Sequence, residues 1–138
     1  MLRGLTTVNF IADDMDAARR WYTELLDLEP YFIRDGPNGT PAYLEFRIGD
    51  YAHELGLMDR RYAPRRSVAP DGAVVYWHVD DVTAAVDRLL ELGATAYEPV
   101  TERGPGFVTA AVVDPFGNIL GVMFNQHYLD VLAGPETL

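Results

Sequence analysis

Two glutamates, Glu45 and Glu54, are the residues of this sequence best suited to acid–base or cation-binding chemistry. Residues 41–48 and 51–58 are both strand-like, which predicts a hairpin that turns through Gly49 and Asp50 between them. Such a turn places Glu45 directly opposite Glu54, with Cβ atoms about 4.5–5.5 Å apart. Two carboxylates that close resist joint ionisation unless a cation lies between them, and Arg47 on the same face is such a cation. The pair is interpreted either as a functional site or as a Glu–Arg–Glu network that holds the strands together.

A sequence repeat organises the chain around these residues. The stretch Ile11 to Leu26, IADDMDAARRWYTELL, returns 67 residues later as His78 to Gly93, HVDDVTAAVDRLLELG. Each copy has two aspartates at its third and fourth positions that suit the capped start of a helix, and each continues with apolar residues at helical spacing. One strand-like run precedes each copy and three follow it. The sequence therefore predicts an α+β fold made of two βαβββ repeats.

The repeat also sets the expected organisation of a single domain. The first repeat covers about residues 5–58, a linker 59–72, the second repeat 73–125 and a C-terminal tail 126–138. The linker is rich in proline and arginine and has no periodicity, so a solvated loop is preferred over contact with an anionic ligand. Its arginines are Arg60, Arg61, Arg65 and Arg66. The sequence of the tail predicts a short helix that packs on the sheet or on a partner subunit.

Composition narrows the classes of function. The 138 residues are 49% hydrophobic, contain no cysteine and carry a formal net charge of -10. Without cysteine there is no disulfide framework and no thiolate chemistry, which fits a cytoplasmic protein. No apolar run approaches the roughly 20 residues of a membrane span, and we expect no signal peptide. The negative charge argues against nucleic acid and suits a cationic ligand if the charge is concentrated at the site.

The two βαβββ halves, the WYTELL helix, the VDDV that opens the second helix and the late turn VVDPFGN together resemble the vicinal oxygen chelate superfamily. That superfamily includes glyoxalase I, bleomycin-resistance proteins, extradiol dioxygenases and fosfomycin-resistance enzymes. The resemblance covers about residues 5–125. It implies curved mixed sheets around a cavity, enclosed by halves of one chain or of two chains in a homodimer.

The resemblance also implies where a divalent metal would bind. Members of the superfamily usually hold it through His, Glu, His and Glu, and the matching positions here are Thr7, Glu54, Val74 and Gly121. The repeat supports this assignment because its offset relates Thr7 to Val74 and Glu54 to Gly121. Such a site needs about three or four nitrogen or oxygen donors, and one glutamate does not supply them. The sequence therefore disfavours a metal and predicts no other cofactor.

Strand alternation predicts which side chains line the ligand cavity. The first half contributes Thr7, Asn9, Tyr43, Glu45, Arg47 and Glu54, and the second contributes Val74, Tyr76, His78, Val112, Gly121 and Met123. Tyr43 and Tyr76 suit stacking on a ligand, with core packing as the alternative. His78 suits either a general base or a structural residue at the strand end. A largely apolar lining with a few directed polar groups is typical of small-molecule pockets.

These observations favour a protein that has lost the metal and binds a small organic molecule, for example a cationic aromatic drug or metabolite. The alternative is a lyase, isomerase or dioxygenase-like enzyme in which Glu54, or Glu45, acts as a base or Glu54 as a metal ligand. A third interpretation is a dimeric interaction module with a vestigial pocket. We expect a cytoplasmic homodimer that binds neither nucleic acid nor membranes.

Overall fold

The computed structural model describes residues 1–63, 70 and 73–134. The chain divides into two compact units, Met1–Val68 and Ala69–Leu138. Each unit contains one four-stranded mixed sheet and the strand and helix order βαβββ. The predicted α+β fold of two repeats is therefore confirmed.

The first unit forms its sheet in the order β1-β4-β3-β2, with β1 parallel to β4 and the other pairs antiparallel. Its elements are β1 (Thr7–Ala12), α1 (Met15–Leu26), β2 (Phe32–Asp35), β3 (Pro41–Ile48) and β4 (His53–Asp59), followed by a 3₁₀ helix, Arg60–Tyr62. The rings of Phe10 and Tyr22 lie 6.2 Å apart, so α1 packs on the sheet face that carries Phe10. Leu55 and Leu57 share that face and are almost fully buried. The opposite face of this sheet is therefore the one that bears polar side chains.

The second unit repeats this arrangement with strand order β5-β8-β7-β6 and β5 parallel to β8. Its elements are β5 (Tyr76–His78), α2 (Val82–Glu91), β6 (Thr95–Gly104), β7 (Phe107–Val113), β8 (Ile119–Asn125) and α3 (Gln126–Ala133). The helix α3 confirms that the tail contains a short helix. The structure describes Asp59, Arg60 and Arg61 of the predicted linker, whereas Arg65 and Arg66 lie outside the described residues.

Both main helices begin at the repeated aspartates. Asp14 accepts a hydrogen bond from the backbone N–H of Ala17, and Asp81 accepts one from Ala84, each at 3.0 Å. A carboxylate in this position satisfies an N–H that has no partner within the helix and lies at the positive end of the helix dipole. The sequence repeat is thus a repeat of helix N-caps.

The hairpin between β3 and β4 differs from the prediction by two residues. Its connection has four residues, with Gly49 at φ 75, Ala52 at φ 53 and a hydrogen bond from the Ala52 N–H to the Gly49 carbonyl. Ile48 therefore pairs with His53, and Glu45 lies opposite Gly56 instead of Glu54. The predicted direct Glu45–Glu54 pair is wrong because the loop is longer than a two-residue turn. A slip of two residues leaves every side chain on its predicted face, since strand side chains alternate with a period of two.

The prediction that Val112 shares the face of Tyr76 is also wrong. Val112 pairs with Leu120 and is fully buried, on the face that carries Val122. Tyr76 pairs with Gly121, so the Tyr76 face receives the odd-numbered residues of β7. The physical reason is the five-residue connection between β7 and β8, which places Val113 opposite Ile119. Odd-numbered residues of the two strands therefore share one face, and Val112 lies on the other.

Candidate functional site

The polar face of the first sheet brings together most of the residues predicted for the first half of the site. We call this surface the first-sheet face, and its members are Thr7, Asn9, Tyr43, Glu45, Arg47 and Glu54, with Tyr31 and Phe32 at its edge. The strand register places Thr7 beside Glu54 and Arg47 opposite Glu54. Gly56 on β4 pairs with Asn9 on one side and with Glu45 on the other. Strand alternation predicted this common face, and the register agrees with it.

Glu54 is held in an internal network on this face. One of its carboxylate oxygens accepts a hydrogen bond from the Thr7 hydroxyl at 2.6 Å, and the other lies 3.2 Å from Nη2 of Arg47. The side chain of Glu54 is mostly shielded and that of Arg47 is half exposed. The guanidinium therefore balances the charge of Glu54, and neither oxygen of this carboxylate is without a donor.

Glu45 has a different set of partners, two tyrosine hydroxyls. Tyr43 donates to Oε1 of Glu45 at 2.5 Å, and Tyr31 donates a short hydrogen bond to Oε2. Phe32 pairs directly with Glu45 across the β2–β3 ladder, and its ring lies 6.4 Å from that of Tyr43. Within the described chain Glu45 forms no ion pair, and its side-chain hydrogen-bond partners are neutral phenols.

The two phenols remain protonated donors at neutral pH. The hydrogen bond to Glu45 is the main reason that the pKa of Tyr31 is raised to about 12, with desolvation and the Glu45 charge adding to it. Burial is the main reason that the pKa of Tyr43 is raised, followed by its hydrogen bond to Glu45. A phenolate beside a carboxylate would also place two negative charges together, and this repulsion adds to both shifts.

Tyr31 is a member of this face that the sequence did not single out. Its backbone N–H donates to the carbonyl of Glu45, just ahead of β2. Its ring also lies under the guanidinium of Arg47, at 4.5 Å from the centroid. The sequence signal was present in the strand-like run that follows Pro30, but only its pairing with β3 shows which side chain meets Glu45.

The second sheet carries its own tyrosine–carboxylate cluster around Glu98. Tyr76 and Thr109 each donate to this carboxylate at 2.9 Å, and Nη2 of Arg103 lies 3.2 Å from it. The hydrogen bond from Tyr76 is the main reason that the pKa of Glu98 is lowered. Burial, and then the bond to Glu98, raises the pKa of Tyr76. Sequence reasoning missed Glu98 because it predicted only a short strand there, without its register.

His78 occupies a packed position at the end of β5. Its ring stacks on Tyr128 of α3 at 4.6 Å, and its Nδ1 accepts a hydrogen bond from the backbone N–H of Asn125. Its Nε2 faces Asp80 at 3.6 Å, and only 9% of the side chain is exposed. These contacts give His78 a structural role in joining β5 to the start of α3. Met123 pairs with His78 and is half-buried, whereas Val74 is exposed and precedes β5.

The residues that the resemblance assigns to metal positions do not fit a divalent cation. Thr7 and Glu54 are adjacent, but they hydrogen-bond to each other, and Glu54 is also paired with Arg47. A Cβ atom at Gly121 would lie 2.7 Å from Cδ1 of Tyr76, so the tyrosine ring fills the space that a ligand side chain would need. Among residues 1–63, 70 and 73–134, no group of three or more His, Cys, Asp or Glu side chains is arranged to hold a metal.

Comparison with known proteins establishes the family. A model of the Glyoxalase/Bleomycin resistance protein/Dioxygenase superfamily matches residues 4–122. The chain therefore belongs to this superfamily, as the sequence resemblance predicted. No curated protein matches it.

Solved structures share the fold at low sequence identity. A glyoxalase-related enzyme from Fulvimarina pelagi is 19% identical with a TM-score of 0.69, and the match covers 91% of this chain and 90% of that one. A superfamily member from Sphaerobacter thermophilus is 19% identical with a TM-score of 0.67, covering 88% and 97%. Protein ATC0852 from Agrobacterium tumefaciens is 19% identical with a TM-score of 0.70, covering 90% and 98%. At these identities the likeness concerns the fold alone.

In the part of the chain that the structure describes, every helix falls short of the length and apolar character needed to cross a membrane.

Proposed function

We propose that this chain is a metal-independent protein that binds a small organic cation with an aromatic body on the first-sheet face. The observation that carries the proposal is the environment of Glu45. Its oxygens accept hydrogen bonds from the neutral phenols of Tyr31 and Tyr43, and no guanidinium or imidazole among the described residues pairs with it. A half-buried carboxylate that forms no direct ion pair within the protein is attractive to a cationic ligand.

The aromatic side chains beside Glu45 support an aromatic body in the ligand. Tyr31 is 49% exposed and Phe32 is 42% exposed, so both rings are accessible on this unit. Aromatic groups stack on such rings in offset or edge-to-face geometry, and cations bind to their faces. In this proposal the Tyr43 ring also contacts the aromatic body of the ligand. Stacking by Tyr76, whose hydroxyl donates to Glu98 in the second unit, stays a prediction.

A metal-independent lyase or isomerase remains the rival function. In that case Glu54 or Glu45 would act as the base. The contacts of Glu54 argue against this role, because a general base must be within reach of a substrate proton and both oxygens of Glu54 already have donors. Homodimer formation and cytoplasmic location stay predictions, and sedimentation velocity tests the first of them.

The test is a calorimetric binding screen of cationic aromatic compounds, each paired with a neutral compound of the same shape. We expect saturable binding of cations, no consumption of the compound over time, and a loss of roughly tenfold or more in affinity in Glu45→Gln. Glu102→Gln is the matched control, since Glu102 is an exposed glutamate on β6 and its loss changes the net charge equally. Equal binding of the neutral compounds would refute the proposal, as would stoichiometric metal found by elemental analysis.

A further inference from the structure

We propose that the cationic group recognised beside Glu45 is a fully alkylated ammonium, in preference to a primary ammonium or a guanidinium. This inference rests on the proposed function and narrows the class of ligand. It follows from two observations on the first-sheet face: the carboxylate oxygens already accept donors from the protein, and aromatic rings lie beside Glu45.

The carboxylate oxygens on this face already accept donors from the protein. Each oxygen of Glu45 receives a phenol hydrogen bond, and each oxygen of Glu54 contacts a donor on Thr7 or Arg47. A carboxylate has about four lone-pair sites, so about two remain on Glu45. A primary ammonium carries three N–H donors and a guanidinium five, and each must find an acceptor when it leaves water. A quaternary ammonium has no N–H donor, so it needs the negative charge of Glu45 without needing its lone pairs.

Aromatic side chains surround the same carboxylate. Tyr31 and Tyr43 reach it through their hydroxyls, and Phe32 lies directly across the strand pair from Glu45. Quaternary ammonium groups are recognised by rings of this kind, with the cation within about 6 Å of the ring centroids. The guanidinium of Arg47 already covers one face of the Tyr31 ring, at 4.5 Å from its centroid, so a ligand cation would contact the rings of Phe32 and Tyr43 or the other face of Tyr31.

The other carboxylates of the two sheet faces lack this combination. Glu98 is hydrogen-bonded by Tyr76 as Glu45 is by its tyrosines, but Arg103 also pairs with it and balances its charge. Glu54 is balanced by Arg47 in the same way. Arg34 on β2 lies opposite Tyr43, beside the first-sheet face, and is exposed, so its removal should strengthen the binding of a cation.

The experiment compares benzyltrimethylammonium with benzylammonium by titration calorimetry at neutral pH, with neopentylbenzene as the uncharged isostere of the first probe. We expect benzyltrimethylammonium to bind roughly tenfold more tightly than benzylammonium, and the isostere to bind more weakly than the quaternary cation. Phe32→Leu should reduce the preference between the two cations, and Arg34→Gln should tighten both. Phe107→Leu is the matched control, because Phe107 is a similarly exposed phenylalanine in the second unit.

The outcomes separate the two proposals. Equal or tighter binding of benzylammonium would overturn the preference for a quaternary ammonium and leave the cation-binding function in place. Failure of both probes to bind would overturn it as well. If no cation in the wider screen binds either, the proposed function falls with it. An equal loss of affinity in Phe32→Leu and Phe107→Leu would show that the ring opposite Glu45 does not contact the ligand.

Discussion

Gly121 offers a sharp test of the second sheet, because the resemblance to the superfamily assigns a metal-ligand position to it. It lies on β8 opposite Tyr76 on β5 and Ala111 on β7. A Cβ at this position would lie 2.7 Å from Cδ1 of Tyr76 and 2.7 Å from the carbonyl oxygen of Val75. Gly121→Ala is the smallest change that brings a side chain into this space.

The expected loss of stability follows from these two contacts. Each neighbouring atom must move by about 0.7 Å to reach ordinary van der Waals contact. The Tyr76 ring can rotate away, but the Val75 carbonyl accepts the Gly121 N–H at 3.0 Å and cannot move without straining that hydrogen bond. Overpacking of this kind costs about 1–3 kcal/mol, and the lower entropy of an unfolded alanine chain offsets about 0.4–1 kcal/mol of it. We expect a net loss of about 1–2 kcal/mol.

Urea unfolding followed by circular dichroism measures this loss. A double-mutant cycle with Tyr76→Ala separates the two contacts, because removing the ring should relieve part of the penalty and leave the part due to the Val75 carbonyl. Gly4→Ala is the control, since a Cβ there meets no atom within 4 Å. If Gly121→Ala is as stable as the control variant, the tyrosine ring does not cover Gly121. The argument against a metal ligand at this position would then fail.

Three further predictions test the polar groups that position the fold and the site. Asp114 is buried and accepts hydrogen bonds from two backbone N–H groups of the DPFGN turn. We therefore expect Asp114→Ala to lower the unfolding free energy of the protein by roughly 2–3 kcal/mol. Asp14→Ala and Asp81→Ala should each lose about 1 kcal/mol in urea unfolding, because both remove the same N-cap contact. The pKa of Tyr31, about 12 in the folded chain, should fall toward 10.0 in Glu45→Gln when its near-ultraviolet absorbance is titrated. Because that pKa is raised above the unfolded value, this phenol's contribution to stability is complete below pH 10 and should decline as the pH rises toward 12.

Each of these predictions has an outcome that contradicts it. A neutral Asp114→Ala would mean that the turn does not depend on its carboxylate. Unequal losses for the two helix caps would mean that the repeated aspartates have unequal roles. An unchanged Tyr31 titration in Glu45→Gln, with Glu102→Gln as the charge-matched control, would mean that the Tyr31–Glu45 hydrogen bond is absent in solution.

The helix starts, the strand faces and the order of the elements were predictable from the sequence alone, because they depend on local interactions. The repeated aspartates predicted both helix starts, because an N-cap depends on one side chain and the N–H groups just after it. Alternation along the strands predicted that Thr7, Glu45 and Glu54 share one face, because the side-chain direction is set by the strand itself. The two βαβββ repeats and the superfamily followed from the order of these elements.

Only the tertiary structure decided which polar groups meet. The four-residue loop set the register that separates Glu45 from Glu54, and the five-residue connection placed Val112 on the opposite face from Tyr76. The pairing of β2 with β3 brought Tyr31 to Glu45, a contact between residues 14 positions apart. Strand register also depends on turn geometry and on hydrogen bonds between separate segments, so a pattern within one segment predicts the face of a side chain but not its partner. The sequence therefore predicted which charged residues belong to the candidate site, whereas the fold determined which groups they contact.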